Sequence, residues 1–393
     1  MEKEFLDLGI QPLANGFLDK KQFKNEKFYN LKAQFNTETH LVTIVDTPKK
    51  EDLFNNNYPY VSSSSTPMIA HFKDIAETII GDLKDGKILE IGSNDGIFIK
   101  NFPKDKAFCI EPCSNFSDIT NNLGYKTYNK FWNMETSNEI KQNHGLFDVI
   151  FSANCMCHIS NIQEAFNSIS NLLTNDGRFI FEDPSLAQVI LNGSYDQFYD
   201  EHPNIFSILS LRKLLYNSNL TIEEVVNTPI HGGSNLIIVR KQIGFKHDSI
   251  SIRSVQRNIW LEKDILGLDK EDTYHLFAQK IHKSKIDLIE LLEYYRLKGK
   301  NIVSYGATSK STTIFNYCGI NQDLICQIVD TTPSKIGKYS PGMHIPIYDR
   351  NTVTISNIDV FFLGAWNFSK EIIAKESNFK GKCITHIPLV REI

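Results

Sequence analysis

The strongest constraint on the fold is a glycine turn that follows a short apolar run in the stretch KILEIGSNDG, residues 87–96. Ile88 to Ile91 are predicted to form a buried strand, Gly92 permits a sharp turn, and Gly96 is expected to begin a helix. Such a turn directs backbone N–H groups and a helix N-terminus towards a ligand. The stretch therefore predicts the first unit of a parallel α/β sheet, with a ligand site at the end of its strand.

An acidic residue about 20 positions after this turn narrows the choice of ligand. Phe108 to Pro112 is predicted to be the next strand, and Glu111 at its end can accept hydrogen bonds from ribose hydroxyls. The combination fits either a nicotinamide dinucleotide or S-adenosylmethionine. The pattern E-x-G-x-x-x-G lacks the three close glycines that hold a pyrophosphate, so S-adenosylmethionine is favoured. The predicted cofactor residues are Glu90, Gly92, Ser93, Asn94, Asp95, Glu111 and Asn154.

Composition and charge argue against several classes of protein. The 393 residues are 41% apolar and 22% charged with a net charge of -4, which is typical of a soluble protein of two or three domains. The charge provides no basic surface for nucleic acid, and no apolar run approaches the roughly 20 residues of a membrane span. The acidic, polar N-terminus does not resemble a signal peptide. We therefore expect a cytoplasmic monomer or weak homo-oligomer.

The seven cysteines do not predict a metal site. Cys155 and Cys157 are close in sequence, as are Cys109 and Cys113, but neither pair has a partner pair at zinc-finger spacing. Most of the cysteines lie in apolar, strand-like surroundings. We predict reduced core thiols and no metal ligand.

Strands and helices alternate through the centre of the chain, which predicts a parallel sheet with helices on both faces and ligands at the carboxyl ends of the strands. Three segments lie at such ends: the turn at 92–96, Asn154 to His158, and the run EDPS at 182–185. The strands at 221–226 and 236–240 are predicted to form a hairpin at the sheet edge. Further helices are predicted near 68–83, 115–122, 135–141, 161–173, 210–218 and 271–297, strands near 125–128, 147–153 and 177–181, and an antiparallel pair within 28–45.

A second alternating unit begins with KNIVSYGATSKST, residues 300–312. A strand, a glycine, hydroxyls and a lysine before a helix are typical of a phosphate site, because the helix dipole, N–H groups and one cation converge there. The motif is not a Walker A loop, since G-x-x-x-x-G-K is absent. The predicted strand Leu324 to Asp330 again ends in an acid. The sequence thus predicts a second Rossmann-like unit for a second ligand, with contacts from Gly306, Ser309, Lys310 and Lys338.

Candidate chemical groups are concentrated around Tyr199, Glu201 and His202, with His158 and His231 at other predicted cleft positions. In an extended segment Tyr199 and Glu201 would share one side and His202 the other. Proton abstraction next to a carbonyl needs one group to remove the proton and others to hold the enolate oxygen. Taken singly, each residue has a plain structural alternative: a surface acid, a loop histidine or a core tyrosine.

Short motifs spread in order along almost the whole chain suggest a family: DLGIQPLAN (7–15), YPYVSS (58–63), LEIGSNDG (89–96), YDEH (199–202), HGGS (231–234), SYGATSK (304–310) and GMHIP (342–346). With these motifs the chain resembles the sugar C-methyltransferases that act on nucleotide-linked 4-keto-deoxysugars. The ordered set is far more specific than any single motif.

The resemblance implies an α/β protein with three domains. These are a small N-terminal domain (1–66), a class I, Rossmann-like S-adenosylmethionine methyltransferase core (67–285), and a second Rossmann-like domain that binds the nucleotide sugar (286–393). It also implies the reaction, in which carbon 3, next to the 4-keto group, loses a proton and receives the methyl group of S-adenosylmethionine.

The resemblance further implies roles for individual residues. His202 would be the base with Glu201 as its partner, and Glu111 would hold the ribose of the donor. The turn Gly306–Lys310 would face the nucleotide diphosphate. The residues implied to orient the sugar or stabilise the enolate are Tyr199, His158 and Tyr60 or Tyr58, and the further expected substrate contacts are His231 and Lys338.

Two other functions remain open from the sequence. An O- or N-methyltransferase on a related sugar would need a base but no enolate. A catalytically silent binding protein would need neither, although the presence of Tyr199, Glu201 and His202 argues against it.

One departure from the family concerns zinc, which members bind through Cys-x-x-Cys pairs in the N-terminal domain. The place of the second pair reads QFNTETH (34–40) and has no cysteine. We therefore predict no structural zinc and an N-terminal domain held by apolar and neighbour contacts. Metal analysis of freshly purified protein is expected to find far less than one zinc per chain, and stoichiometric zinc would contradict the prediction.

Overall fold

The computed structural model describes residues 1–83, 85–243 and 249–393, which form three β-sheets with surrounding helices. The strands are β1 (Glu2–Pro12), β2 (Phe28–Asn36), β3 (Val42–Ile44), β4 (Ile88–Ile91), β5 (Ala107–Ile110), β6 (Lys126–Tyr128), β7 (Phe147–Ala153), β8 (Leu173–Pro184), β9 (Asn204–Ile205), β10 (Leu220–Thr228), β11 (Ser234–Lys241), β12 (Ile302–Tyr305), β13 (Gln327–Asp330), β14 (Ile347–Asp349), β15 (Val360–Leu363), β16 (Lys382–Thr385) and β17 (Arg391–Glu392). The α-helices are α1 (Lys50–Leu53), α2 (Thr66–Leu83), α3 (Ser114–Asn122), α4 (Met134–His144), α5 (Ile162–Leu172), α6 (Leu186–Asn192), α7 (Ile208–Tyr216), α8 (Ser249–Trp260), α9 (Glu271–Leu297), α10 (Ser309–Cys318) and α11 (Ser369–Lys375). Within the described ranges, no helix has the length and apolarity needed to cross a membrane.

The central sheet has the order β10-β11-β8-β7-β4-β5-β6, with β8 to β6 parallel and the β10–β11 hairpin antiparallel at one edge. Its central strands β4 and β7 are buried on both faces. Leu89 and Ile150 pack into one apolar cluster and Ile88 and Phe151 into another, because successive side chains of a strand point to opposite faces. The predicted class I methyltransferase core, including its edge hairpin, is confirmed.

The C-terminal sheet has the order β14-β13-β12-β15-β16-β17 and is parallel except for β17. Helix α10 follows β12 directly. Its first turn is fixed by a capping box in which Thr308 and Ser311 bond to each other's backbone N–H groups. The predicted second Rossmann-like unit is therefore present.

The N-terminal sheet contains a strand that the periodicity did not predict. The predicted pair within 28–45 is present as β2 and β3, and β1 adds a strand of 11 residues for which the sequence predicted no element. Register shifts between Glu4 and Leu6 and between Asp7 and Ile10 interrupt the alternation of β1 and hide it in the sequence. The far edge of this sheet is β9, which follows the YDEH motif directly and pairs with β3.

The helix expected at Gly96 does not form. A turn leads instead to a short 3-10 helix, Ile99–Asn101. The side-chain amide of Asn101 donates to the carbonyls of Ile97 and Phe98 at 3.2 and 2.7 Å, and Pro103 closely follows. Side-chain bonds of this kind compete with helical hydrogen bonds, and proline ends a helix.

Helix α9 joins the outer domains rather than separating them. The expected boundary at 285 falls in its middle, and its side chains Tyr274 and Ile281 belong to one apolar cluster with Phe5 of β1 and Ile302 of β12. The N-terminal domain thus shares its core with this helix and with the C-terminal domain.

This shared core generates a stability prediction. Phe35 is 1% exposed and stacks on Tyr274 with ring centroids 4.4 Å apart. Phe35→Ala is expected to lower the free energy of unfolding by about 3–5 kcal/mol, because it leaves a cavity between β2 and α9. Ile10→Ala, on the exposed face of β1, is the control and should change it by less than about 0.5 kcal/mol. Equal effects of the two variants in denaturant unfolding would contradict the shared core.

Candidate active site

A single cavity of about 920 Å³ is lined by all three domains. The N-terminal segment, the carboxyl ends of the central strands and the first turn of α10 meet there. This location agrees with the rule that ligands bind outside the carboxyl ends of parallel strands. The sequence-predicted residues in its wall are Tyr58, Tyr60, Gly92, Asn94, Glu111, Asn154, His158, Tyr199, Glu201, His202, His231, Gly306, Ser309 and Lys310.

Four sequence-predicted residues do not line the cavity: Glu90, Ser93, Asp95 and Lys338. Glu90 points into the core beneath the turn, where burial and the nearby Glu111 raise its pKa well above the ordinary value. Ser93 is 1% exposed. The cofactor contacts expected of Glu90, Ser93 and Asp95 and the substrate contact expected of Lys338 therefore stay predictions.

The turn after β4 is built for close approach of a ligand. Gly92 has φ +76°, and a Cβ added there would lie 2.8 Å from Sγ of Cys155. The Glu111 carboxylate accepts the N–H groups of Asn94 and Cys113, both at 2.8 Å. One acid therefore ties the turn to the end of β5 and still reaches the cavity wall, which suits a ribose-bearing donor.

The two tyrosines of the YPYVSS motif occupy different places. Tyr58 donates its hydroxyl to Oε2 of Glu201 at 2.8 Å. Tyr60 lies beside the donor turn, where its carbonyl accepts the side-chain amide of Asn94 at 3.1 Å and the N–H of Ser62 donates to Oδ1 of Asn94 at 3.0 Å. Tyr58 therefore contacts the YDEH motif, whereas Tyr60 contacts the turn that follows β4.

Tyr199 and His202 form a hydrogen-bonded pair, contrary to the expectation that they lie on opposite sides. The N–H of His202 donates to the carbonyl of Tyr199 at 2.9 Å, so the segment is a tight turn rather than extended chain. Nδ1 of His202 lies 2.8 Å from the carbonyl of Gln197 and Nε2 lies 2.8 Å from the hydroxyl of Tyr199. Because a carbonyl only accepts, Nδ1 carries the hydrogen and Nε2 accepts from Tyr199.

The electrostatics of this pair leave both groups uncharged. Burial lowers the pKa of His202 well below its ordinary value, and His158 and Lys310 lower it further. Burial and the nearby Glu201 raise the pKa of Tyr199 well above the ordinary value. His202 is therefore a neutral imidazole whose basic nitrogen faces a phenol.

Glu201 is not the partner of His202 that we expected. Its carboxylate accepts the hydroxyl of Tyr58 and the side-chain amide of Asn15, the latter at 2.7 Å. The neighbouring carboxylate, Asp200, accepts the N–H of Ala14 at 3.1 and 3.2 Å through its two oxygens. Both acids of the turn, Asp200 and Glu201, are therefore hydrogen-bonded to the N-terminal domain. Asn15 lies in the DLGIQPLAN motif, but nothing in the sequence assigned it a partner.

The remaining histidines lie close to this pair. The rings of His158 and His202 have centroids 5.1 Å apart, and Nε2 of His158 is buried with no hydrogen-bond partner among the described residues. Burial, together with the positive charge of Lys310, lowers the pKa of His158 and of His231 to about 3, so both are neutral. Donor atoms of Cys157, His158 and His202 lie within 4.8 Å of one another, but both nitrogens of His202 already have partners.

Two lysines bring positive charge to the part of the wall that belongs to the C-terminal domain. Lys310 lies in the first turn of α10, and Lys335 donates to the carbonyl of Ala307 at 2.7 Å. Burial lowers the pKa of both, while acidic neighbours, chiefly Asp196 for Lys310 and Asp330 for Lys335, oppose the shift. The segment TTPSKIGK (331–338) contains two lysines. In the folded chain Lys335 lines the cavity and Lys338 does not.

Three family models match successive parts of the chain. A "Putative zinc binding domain" matches residues 1–54, a "Methyltransferase domain" 67–225, and a "C-methyltransferase C-terminal domain" 229–388. The first match contains no cysteine and one histidine, His40, which are too few ligands for a tetrahedral zinc site. The β2–β3 hairpin is closed instead by the side chain of Asn36, which accepts the N–H groups of Glu38 and Thr39 at 2.9 and 2.7 Å.

Among curated proteins, the C-methyltransferase NovU of Streptomyces niveus is 29% identical over 399 residues, covering 99% of this chain and 94% of its own. Solved methyltransferases overlap only partly: magnesium protoporphyrin IX methyltransferase of Synechocystis PCC 6803 (11% identity, 44% of this chain, 83% of that chain, TM-score 0.34) and a methyltransferase of Clostridium acetobutylicum (17%, 44%, 92%, 0.35). The similarity rests on the sequence matches. The chain is similar to a C-methyltransferase along almost its whole length, and its central part matches a methyltransferase domain.

Proposed function

We propose that the enzyme methylates carbon 3 of a nucleotide-linked 4-keto-deoxysugar through an enolate. The observation that carries the proposal is the Tyr199–His202 pair, which lies in one cavity between the donor turn at Gly92 and the basic turn at Lys310. A carbon acid beside a ketone needs such a base, and a nucleotide diphosphate needs such cations.

S-adenosylmethionine supplies an electrophilic methyl group when bound. Gly92, Asn94 and Glu111 would hold it, the first by allowing close backbone approach and the last by accepting hydrogen bonds from ribose hydroxyls. Asn154, with φ +50°, lines the cavity at the end of the neighbouring strand β7. With the donor bound at these residues, the sugar would occupy the part of the cavity next to Tyr199.

The base in this proposal is His202 acting through Tyr199. The phenol proton passes to Nε2 of His202 while the phenol oxygen takes the proton from carbon 3, so that an imidazolium, a phenol and an enolate result. The hydrogen bond from Nδ1 to the Gln197 carbonyl is retained in both states and steadies the ring. The neutral resting state of His202 allows it to accept this proton.

The developing enolate oxygen needs a donor in a site with little water. His158 is suited to this role because its buried Nε2 is without a partner in the described part of the chain, and a neutral ring can present N–H there. Lys310, whose ammonium lies 6.0 Å from the ring centroid of Tyr199, adds positive charge nearby. Both groups favour the charged transition state over the neutral ketone.

In this proposal the nucleotide part of the substrate binds to the C-terminal domain. The first turn of α10 presents N–H groups, and Lys310 and Lys335 supply cations that can pair with phosphate oxygens. Asp330 accepts the N–H groups of Ala307 and Thr332, both at 2.7 Å, and so fixes this turn as Glu111 fixes the donor turn. The two ligands thus enter from opposite domains.

The acid–base role predicts loss of proton exchange. In deuterated buffer without donor, the wild-type enzyme should exchange the proton at carbon 3, and Tyr199→Phe or His202→Asn should slow exchange and methylation by about 100-fold or more. Tyr216→Phe, at a 70% exposed tyrosine, is the control. Unchanged exchange in both variants would exclude these roles, and a methyl group found by NMR on oxygen or nitrogen would identify an O- or N-methyltransferase instead.

The nucleotide site predicts a binding defect that depends on position. Lys310→Met and Lys335→Met should each raise KM for the nucleotide sugar by about 10-fold to 100-fold, because each removes a charge-assisted hydrogen bond. Lys338→Met is the matched control, since Lys338 lies outside the cavity wall. Affinity for S-adenosylmethionine, measured by calorimetry, should stay unchanged in all three. An effect of Lys338→Met as large as the others would refute the assignment.

A further inference from the structure

A buried carboxylate lies where the central and C-terminal domains meet. Asp196 is fully buried, and its Oδ2 lies 2.5 Å from Nε1 of Trp366 and 3.4 Å from Nε2 of His386. Its other oxygen has no hydrogen-bond partner among the described residues. Both neighbours come from the C-terminal domain, and none of the three residues lines the cavity. Only Trp366 makes a hydrogen bond to Asp196, because neither ring nitrogen of His386 has a hydrogen-bond partner among the described residues. A buried carboxyl group is costly to leave without such a donor.

The residue after Asp196 contacts two histidines of the active site. The carbonyl of Gln197 accepts Nδ1 of His202, and the side-chain amide of Gln197 donates to the carbonyl of His231, each at 2.8 Å. Asp196 and Gln197 belong to the same 3-10 turn, Tyr195–Gln197. A movement of Asp196 would therefore move the acceptor that orients His202.

Trp366 makes a second contact with the wall of the active site. A Cβ added to Gly232 would lie 2.3 Å from Cη2 of Trp366, so the indole packs directly on the backbone next to His231. Gly232 has φ +93°, which also disfavours any other residue. One side chain of the C-terminal domain thus touches the segments that carry both Gln197 and His231.

We propose that Asp196 is a positioning residue which, held by the indole N–H of Trp366, fixes the Gln197 carbonyl and with it the Nδ1–H tautomer and orientation of His202. The inference rests on the proposed function of His202 as the base. Its consequence is that deprotonation depends on how the nucleotide-binding domain is docked against the central domain, although that domain contributes neither His202 nor Tyr199.

The clamp is tested with Trp366→Phe, which removes the N–H donor together with the outer indole ring that contacts Gly232, and with Asp196→Asn, which keeps the shape and replaces the carboxyl group with an amide. Both should slow carbon-3 proton exchange and kcat by about tenfold, and Trp366→Phe should leave KM for both substrates within about twofold of wild type. In ¹⁵N NMR spectra of the free enzyme, assigned by comparison with His202→Asn, the single Nδ1–H tautomer of His202 should become a mixture.

A matched control removes a domain contact that does not reach Gln197. Phe23 of the N-terminal domain stacks on His344 of the C-terminal domain with centroids 3.6 Å apart. Phe23→Leu should lower Tm but leave the exchange rate and the His202 tautomer unchanged. If Trp366→Phe and Asp196→Asn also lower only Tm, the positioning role is overturned.

The NMR measurement of the His202 tautomer tests the clamp independently of the proposed function. If the wild-type enzyme exchanges no proton from any nucleotide 4-keto sugar, the proposed function fails. A His202 tautomer that still responds to Trp366→Phe would then support the clamp, and one that does not respond would overturn it.

Discussion

The structure depends on the burial of one turn, residues 200–202, whose three side chains are all ionisable and which lies where the three domains meet. Asp200, Glu201 and His202 are only 1–4% exposed, and ionisable groups are stable at such depth only with hydrogen-bond partners or in the neutral form. Partners for the two acids come from the N-terminal domain at Ala14 and Asn15. The neutral His202 is held from within the central domain. The active site therefore exists only when the domains are packed together.

The same burial sets the chemistry. At this depth His202 and His158 are neutral, so in the proposed function one accepts a proton and the other donates a hydrogen bond. The cations Lys310 and Lys335 are placed on the wall that belongs to the other Rossmann-like domain. In the proposed function this separation of base and cations lets one cavity serve a methyl donor and a nucleotide-linked acceptor.

The N-terminal domain has no cysteine in residues 1–54, and other contacts hold its sheet. Its sheet gains stability from α9, through the contacts of Phe5 and Phe35 with Tyr274, and from β9, which extends the sheet directly after the catalytic turn. Apolar burial of this kind can replace the constraint that a metal ion supplies to a small domain. The domain is thereby joined both to the core and to the active site.

The sequence by itself determined the two Rossmann-like units, their glycine turns and helix α9 at 271–297, because buried strands, positive-φ glycines and helical periodicity are local signals. Most of the site residues that it predicted, through the carboxyl ends of parallel strands and the family motifs, also line the cavity. Strand β1 was missed because its register shifts break the alternation. The packing of the chain decided the rest: the pairing of Tyr199 with His202 rather than Glu201, the inward position of Lys335 rather than Lys338, and the clamp on Asp196. These contacts join residues through a tight turn or from different domains, so neither spacing nor composition records them.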